Sequence, residues 1–154
     1  MESPSEILYK QMTIEELEII DISSINSLLS QLTEREHSFT LDQFGVIIER
    51  ENIIQFYAYP SDNITKVVGL LTLVVFYTPA GSHARIEDVV VDNDYRGKSI
   101  GRILTEMAIE ESRNLKIKEV DLTSNPRREA ANRLYQKMGF ERRETNVYRY
   151  INED

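Results

Sequence analysis

The sequence predicts an α/β fold in which one mixed β-sheet is covered by helices. Three observations indicate this class. Helical periodicity dominates residues 13–51, apolar and β-branched runs take over at residues 53–77, and strand and helix patterns then alternate to residue 151. No repeat, linker or low-complexity segment interrupts the chain. Its 154 residues are therefore predicted to form one domain over 1–154.

The first part of the chain predicts one strand and three helices. A short strand is expected at residues 7–12, and the capping-box pattern Thr13-x-x-Glu16 opens a helix to about residue 19. Two further helices, at residues 22–32 and 40–51, follow from apolar side chains at helical spacing. These side chains are Ile22, Ile25, Leu28, Leu29 and Leu32 in the first of the two helices, and Leu41, Phe44, Ile47 and Ile48 in the second.

The remaining chain predicts the rest of the sheet and its second set of helices. Strand-like runs at residues 53–59 and 66–77 are joined by Pro-Ser-Asp-Asn, which is typical of a hairpin turn. The elements expected after them are a strand at 85–91, a helix at 99–114, a strand at 118–123, a helix at 127–138 and a last strand at 145–151.

Composition and charge narrow the class of protein. The net charge of −8 disfavours nucleic acid as a partner, and no apolar run approaches the length of a membrane span. The absence of cysteine removes disulfides and thiolate nucleophiles, and the two distant histidines predict no metal site. With no basic and apolar leader pattern, a cytoplasmic location is expected. Residues 1–77 hold 12 acidic and 4 basic side chains, which would suit a cationic substrate.

Residues 86–101 carry the most informative pattern, I-E-D-V-V-V-D-N-D-Y-R-G-K-S-I-G. A strand, a glycine-containing loop and a helix start together expose backbone N–H groups and the positive end of a helix dipole, which favour a phosphate. Gly97-Lys98-Ser99 imitates the end of a nucleotide-triphosphate loop, but Asp92 occupies the position where that loop needs its first glycine. The dinucleotide fingerprint G-x-G-x-x-G is absent as well.

Arg96-x-x-Ser99-x-Gly101 resembles the acyl-CoA loop [Q/R]-x-x-G-x-[G/A] of the GNAT superfamily, with serine at the middle glycine. The Ser99 hydroxyl is expected to cap the helix that follows. A second GNAT-like pattern, A-x-x-x-Y-x-x-x-G-F, occurs at residues 131–140 after an asparagine-containing loop. The two motifs have the order and spacing seen in that superfamily, and the resemblance covers residues 85–150.

This resemblance implies a GNAT-type central mixed sheet flanked by helices, with acetyl-CoA as cofactor and coenzyme A as product. It implies that the strand before the loop offers its backbone to the pantetheine arm, while loop and helix hold the phosphates. The cofactor-binding residues expected on this basis are Val89, Val90, Val91, Arg96, Gly97, Lys98, Ser99, Ile100, Gly101, Arg102, Asn125, Asn132, Arg133 and Tyr135.

The resemblance also suggests the catalytic groups. Tyr135 matches the family tyrosine near the cofactor sulfur and would act as general acid, although its helical spacing also fits a core position. Glu87 is favoured as general base, with Asp88, His83 and water as alternatives. Strand alternation predicts that Glu87 and Asp88 face opposite sides of the sheet, so that only one of them meets the substrate.

The predicted function is direct transfer of an acetyl group to a primary amine, most plausibly on a small molecule such as an amino-sugar phosphate. A protein or peptide N-acetyltransferase and a non-catalytic acyl-CoA-binding module remain as alternatives. Membrane partners are not expected, and a homodimer through edge strands or the C-terminal strand stays open. The acceptor itself is not identified, because the region before residue 83 matches no known motif.

Overall fold

The computed structural model describes residues 4–153. They divide into two compact units, the first reaching Thr123 and the second starting at Ser124. The first unit holds the whole sheet and four of the five helices described below. The prediction of one domain over residues 1–154 stays a prediction.

The sheet has five strands in the order in which they occur in the chain. They are β1 (Ile7–Gln11), β2 (Ile53–Pro60), β3 (Gly69–Thr78), β4 (Gly81–Val91) and β5 (Glu119–Leu122). The first three pairings are antiparallel and the pairing of β4 with β5 is parallel, so the predicted mixed sheet is confirmed. Strand β4 begins earlier than predicted, and His83 therefore lies in the strand rather than in a loop before it.

The described residues form five helices, of which four lie between strands and one follows the last strand. They are α1 (Ile14–Leu17), α2 (Ile22–Thr33), α3 (Leu41–Ile48), α4 (Ile100–Asn114) and α5 (Glu129–Lys137), with a single 3-10 turn at Asn93–Tyr95. The predicted capping box at Thr13 is present, and Thr40 forms a second one with Gln43 at the start of α3. Among the residues described, no helix is both long and apolar enough to cross a membrane.

The helices of the first unit cover both faces of the sheet. Tyr57 and Leu70, which are paired across β2 and β3, pack with buried residues of α1, α2 and α3. Their chain neighbours Ala58 and Gly69 point to the other face by strand alternation. There, a Cβ on Gly69 would meet Ile100 of α4 at 2.8 Å. Gly69 thus allows the first turn of α4 to lie directly on the sheet.

The second unit contains α5 and, at residues 140–153, a segment that forms neither helix nor strand. The strand predicted at residues 145–151 is wrong, because no ladder forms there and the segment is exposed. Its apolar side chains, Val147, Tyr148, Tyr150 and Ile151, are 75–87% exposed. A strand exists only where its backbone groups pair with a neighbour, and composition alone does not supply that neighbour.

We expect Gly69→Ala to lower the free energy of unfolding by about 1–3 kcal/mol, because the added methyl group forces α4 away from β3. Urea denaturation measures the change. Gly45→Ala is the control, since its Cβ would meet Leu17 and Ile14 at 3.6 and 3.7 Å, which is ordinary contact. Because alanine is the better helix former, Gly45→Ala should be neutral or stabilising. Equal stability of both variants would contradict the packing argument.

Candidate active site

Strand β4 separates from β5 halfway along its length. The parallel ladder joins His83–Ile86 of β4 to Glu119–Leu122 of β5 and then stops. On that side, residues 87–91 of β4 therefore have no strand partner among the described residues. An unpaired strand edge presents N–H and C=O groups that can accept another extended chain with peptide-like amides.

On its other side, β4 pairs with β3, and a β-bulge interrupts that pairing just after the point where the ladder with β5 ends. Thr72 pairs with Glu87 and Leu70 with Val90, so two steps on β3 correspond to three on β4. Asp88 takes a left-handed backbone conformation with φ of 52°. Leu70 and Thr72 lie on one face of the sheet, so their partners Val90 and Glu87 lie on that face too. Because Glu87 and Val90 are three residues apart, the regular alternation of side chains between the two faces ends at Glu87. The expectation that Asp88 faces away from Glu87 assumed an unbroken strand and loses its basis.

The carboxyl group of Asp88 lies in an environment that disfavours its charge. Asp88 keeps contact with solvent, yet the surrounding protein raises its pKa above the ordinary value by desolvation. A protonated His37 offsets part of this rise. His37 follows α2, and its Nε2 lies 2.7 Å from Thr33 Oγ1. Sequence reasoning found no partner for His37, because 50 intervening residues gave no signal that the two groups are close.

Glu87 is already engaged with a cation of its own strand. Its Oε1 lies 3.0 Å from Arg85 Nε, and the two side chains are 42% and 43% exposed. The contact is an ion pair and does not have the geometry of a hydrogen bond, because Arg85 Nε has no hydrogen-bond acceptor among the described residues. Residues two apart in a strand share a face, so this pair follows from the local sequence.

His83, the third side chain considered as a base, makes contacts on all sides. Its Nε2 is 3.2 Å from Thr78 Oγ1 and its Nδ1 is 3.6 Å from Glu119 Oε2. The ring also stacks on Phe76 with centroids 5.3 Å apart. These contacts hold the imidazole against the β3–β4 hairpin.

The loop after β4 forms a cradle of backbone N–H groups. Gly97 and Ser99 both have positive φ, of 77° and 62°, which turns the chain sharply into α4. The prediction that the Ser99 hydroxyl caps α4 is wrong, because its side chain makes no cap hydrogen bond. In α4 the first N–H bonded back to a carbonyl is that of Ile103, which donates to Ser99 at 3.0 Å. The preceding N–H groups remain available to an anion.

The charged side chains predicted for this loop differ in their contacts. Arg96 Nε donates to the Val91 carbonyl at 3.4 Å, whereas Arg102 forms an ion pair with Glu106 at 3.0 Å. Lys98 Nζ lies 5.0 Å from the centroid of the Tyr95 ring. A second ammonium group, that of Lys66, lies 5.1 Å from the same centroid. The motif search missed Lys66, because it belongs to the β2–β3 connection.

The second unit carries the remaining predicted residues. Tyr135 is buried, and its ring meets Phe140 edge to face with centroids 5.8 Å apart. Burial raises the pKa of the Tyr135 phenol, and Arg128 offsets part of that rise. Such a phenol stays protonated at neutral pH, as a general acid must.

The two predicted asparagines are used inside the second unit. Asn125 Oδ1 accepts from the Arg127 N–H at 2.9 Å, and Asn132 Nδ2 donates to the Asn125 carbonyl at 3.1 Å. Together they brace the turn that precedes α5. Arg133 lies 3.8 Å from Glu129 on the exposed face of that helix.

The comparisons with known proteins show the family and the fold. Residues 22–140 match the model of the acetyltransferase (GNAT) family, and the chain belongs to that family. An uncharacterized N-acetyltransferase of Bacillus subtilis, YhdJ, is 30% identical over 115 residues, covering 73% of this chain and 80% of the relative. The family generally uses acetyl-CoA as co-substrate and acts on amines.

Solved acetyltransferase structures share the fold. One from Trypanosoma brucei has a TM-score of 0.77 at 26% identity, covering 95% of this chain and all of its own. A glucosamine-6-phosphate N-acetyltransferase from Arabidopsis thaliana has a TM-score of 0.78 at 19% identity, with coverages of 96% and 99%. An aminoglycoside acetyltransferase from a soil metagenome reaches 0.81 at 18% identity, with coverages of 96% and 97%.

We expect Ser99→Gly to stabilise the protein by about 0.5–1 kcal/mol, because a left-handed backbone costs a non-glycine residue about 1–2 kcal/mol. Thermal unfolding measures the gain. Gly97→Ala is the matched opposite change, since φ at Gly97 is 77° and a Cβ there would meet no atom within 4 Å. It should destabilise by backbone strain alone. Changes of the same sign in the two variants would contradict the assigned conformation.

Proposed function

We propose that this protein is an acetyl-CoA-dependent N-acetyltransferase that transfers the acetyl group directly to a primary amine. The observation that carries the proposal is the continuity of the β4 edge at residues 87–91 with the N–H cradle at the start of α4. The sequence contains no cysteine, so a thiol-linked acetyl-enzyme is not part of the proposal.

The donor groups fit an acyl-CoA. The unpaired edge of β4 at Val89 and Val91 offers amide partners to the two amides of a pantetheine arm. The N–H groups at Gly101 and Arg102 suit a pyrophosphate, and a Cβ on Gly101 would approach only Val91, at 3.7 Å. When bound, acetyl-CoA would supply the activated acetyl group as a thioester.

Asp88 is our choice of proton acceptor for the attacking ammonium group, with Glu87 as the alternative that the family resemblance favours. Desolvation already raises the pKa of Asp88, which brings its basicity closer to that of a useful base near neutral pH. Glu87 would first have to share its carboxylate with Arg85. The bulge also puts Asp88 beside the unpaired part of β4, where the acetyl group would lie.

Tyr135 is our choice of general acid toward the departing thiolate. Its raised pKa keeps the phenolic proton in place until a strong base develops nearby. The resemblance of α5 to the family pattern supports this role, and the burial of the ring restricts its motion.

The acceptor is proposed as a small molecule with a primary amine. Two structural relatives are named for glucosamine-6-phosphate and for aminoglycosides, both of which are amine-bearing sugars. The excess of acidic side chains over residues 1–77 favours a cationic acceptor.

Calorimetric titration with acetyl-CoA tests the proposal, comparing the wild type with Gly101→Glu and Gly101→Gln. We expect micromolar binding by the wild type, loss of binding in Gly101→Glu, and much smaller weakening in Gly101→Gln, which has nearly the same volume without the charge. Absence of binding by the wild type would overturn the proposed function. Binding without turnover on any of a panel of amines would replace it with a non-catalytic acyl-CoA module.

We expect Asp88→Asn to lower kcat/KM by about 10²- to 10⁴-fold and to remove the rising limb of its pH profile. Because the pKa of Asp88 is raised, that limb in the wild type should lie above the pH at which an ordinary aspartate ionises. Glu87→Gln is the matched control and should keep the limb. If the limb disappears in Glu87→Gln and persists in Asp88→Asn, the base is Glu87.

We expect Tyr135→Phe to lower kcat by about 10²-fold with little change in acetyl-CoA affinity, because the ring stays and only the acidic proton is lost. Steady-state kinetics and calorimetry measure the two quantities. Phe140→Leu is the control for the disturbance of the aromatic pair. Unchanged kcat in Tyr135→Phe would remove the general-acid role.

A further inference from the structure

Tyr95 is contacted by two ammonium groups from different parts of the chain. Lys66 Nζ lies 5.1 Å and Lys98 Nζ 5.0 Å from the centroid of the same ring. Lys98 belongs to the cradle loop, whereas Lys66 belongs to the connection between β2 and β3. Cation–π contact with Tyr95 stabilises each ammonium group separately. The two like charges also repel each other, and a nearby anion would offset that repulsion.

The backbone on both sides of Lys66 is anchored to the start of α2. The Asp21 N–H donates to the Thr65 carbonyl at 2.9 Å, and the Val67 N–H donates to Ser24 Oγ at 2.9 Å. The Asp92 N–H donates to the Val68 carbonyl at 2.9 Å, which ties the same segment to the turn that carries Tyr95. Lys66 is half-buried as a result. Its stem is therefore held beside the cradle.

Neither lysine is neutralised by a carboxylate. Within the described part of the chain, the ion pairs involve other cations, such as Arg102 with Glu106, and none includes Lys66 or Lys98. The acids nearest in sequence are Asp62, which precedes Lys66, and Asp94, which precedes Lys98, and neither forms an ion pair among the described residues. In a chain of net charge −8, two ammonium groups at one aromatic ring without carboxylate partners among the described residues form a local positive site.

We propose that Lys66 and Lys98, positioned by Tyr95, bind the ribose 3′-phosphate of the acyl-CoA. This inference rests on the proposed function. A coenzyme A molecule carries two separate anionic groups, and the backbone N–H groups at the start of α4 suit the pyrophosphate. The phosphomonoester holds close to two negative charges at neutral pH and needs cations of its own. Two ammonium groups with freely rotating N–H donors meet that requirement.

Calorimetric titration of coenzyme A and of 3′-dephospho-coenzyme A separates the two anionic groups. We expect Lys66→Met to weaken coenzyme A binding about ten- to a hundredfold, the usual range for one charged hydrogen bond. The same variant should bind the dephospho ligand as the wild type does, and Lys66→Arg should restore most of the lost affinity. Lys118→Met, an exposed lysine at the start of β5, makes the same charge change and should behave as the wild type.

Three outcomes would decide against the inference. Unchanged coenzyme A affinity in Lys66→Met would show that Lys66 does not bind the ligand. Equal loss for both ligands would assign Lys66 to the pyrophosphate instead. Loss in Lys118→Met as large as in Lys66→Met would show that only overall charge matters. Binding of the dephospho ligand by Lys66→Met also verifies that this variant is folded. Failure of the wild type to bind either ligand would overturn the proposed function itself.

Discussion

The candidate site depends on how the pairing of β4 with its two neighbouring strands changes after Ile86. Its ladder with β5 stops at Ile86, and its ladder with β3 gains an extra residue between Glu87 and Val90. A strand buried between two regular neighbours would have every backbone group paired. Here the second half of β4 retains groups that a ligand can pair with, and the chain then passes directly into the N–H cradle before α4.

The position of α4 follows from close packing on the same sheet. Gly69 lacks a side chain where Ile100 and Leu104 approach, so the first turns of α4 lie against β3, and Gly101 of α4 lies close to Val91 at the end of β4. Positive φ at Gly97 and Ser99 brings the loop around to that point. The strain at Ser99 is small compared with the packing of the buried Ile100 and Leu104 side chains, and the packing therefore determines the conformation.

Local patterns predicted much of this arrangement. The capping box at Thr13, the helical stripes and the β-branched run before Arg96 depend on neighbours in sequence, and the structure has elements at those places. One expectation was wrong and another lost its basis, for a common reason. The strand at residues 145–151 needed a partner, and the opposite facing of Glu87 and Asp88 needed a regular ladder. Both conditions involve residues distant in sequence.

The sequence by itself predicted most of the element types and the mixed sheet, and it led to the proposal of an anion-binding loop at residues 96–101, because periodicity and helix-start chemistry are local properties. Only the tertiary structure decided which groups meet. It brought the charge of His37 within reach of Asp88 and placed Lys66 beside Tyr95. These contacts join segments through strand register, the bulge and a loop anchored to α2, and no spacing in the chain encodes such distances.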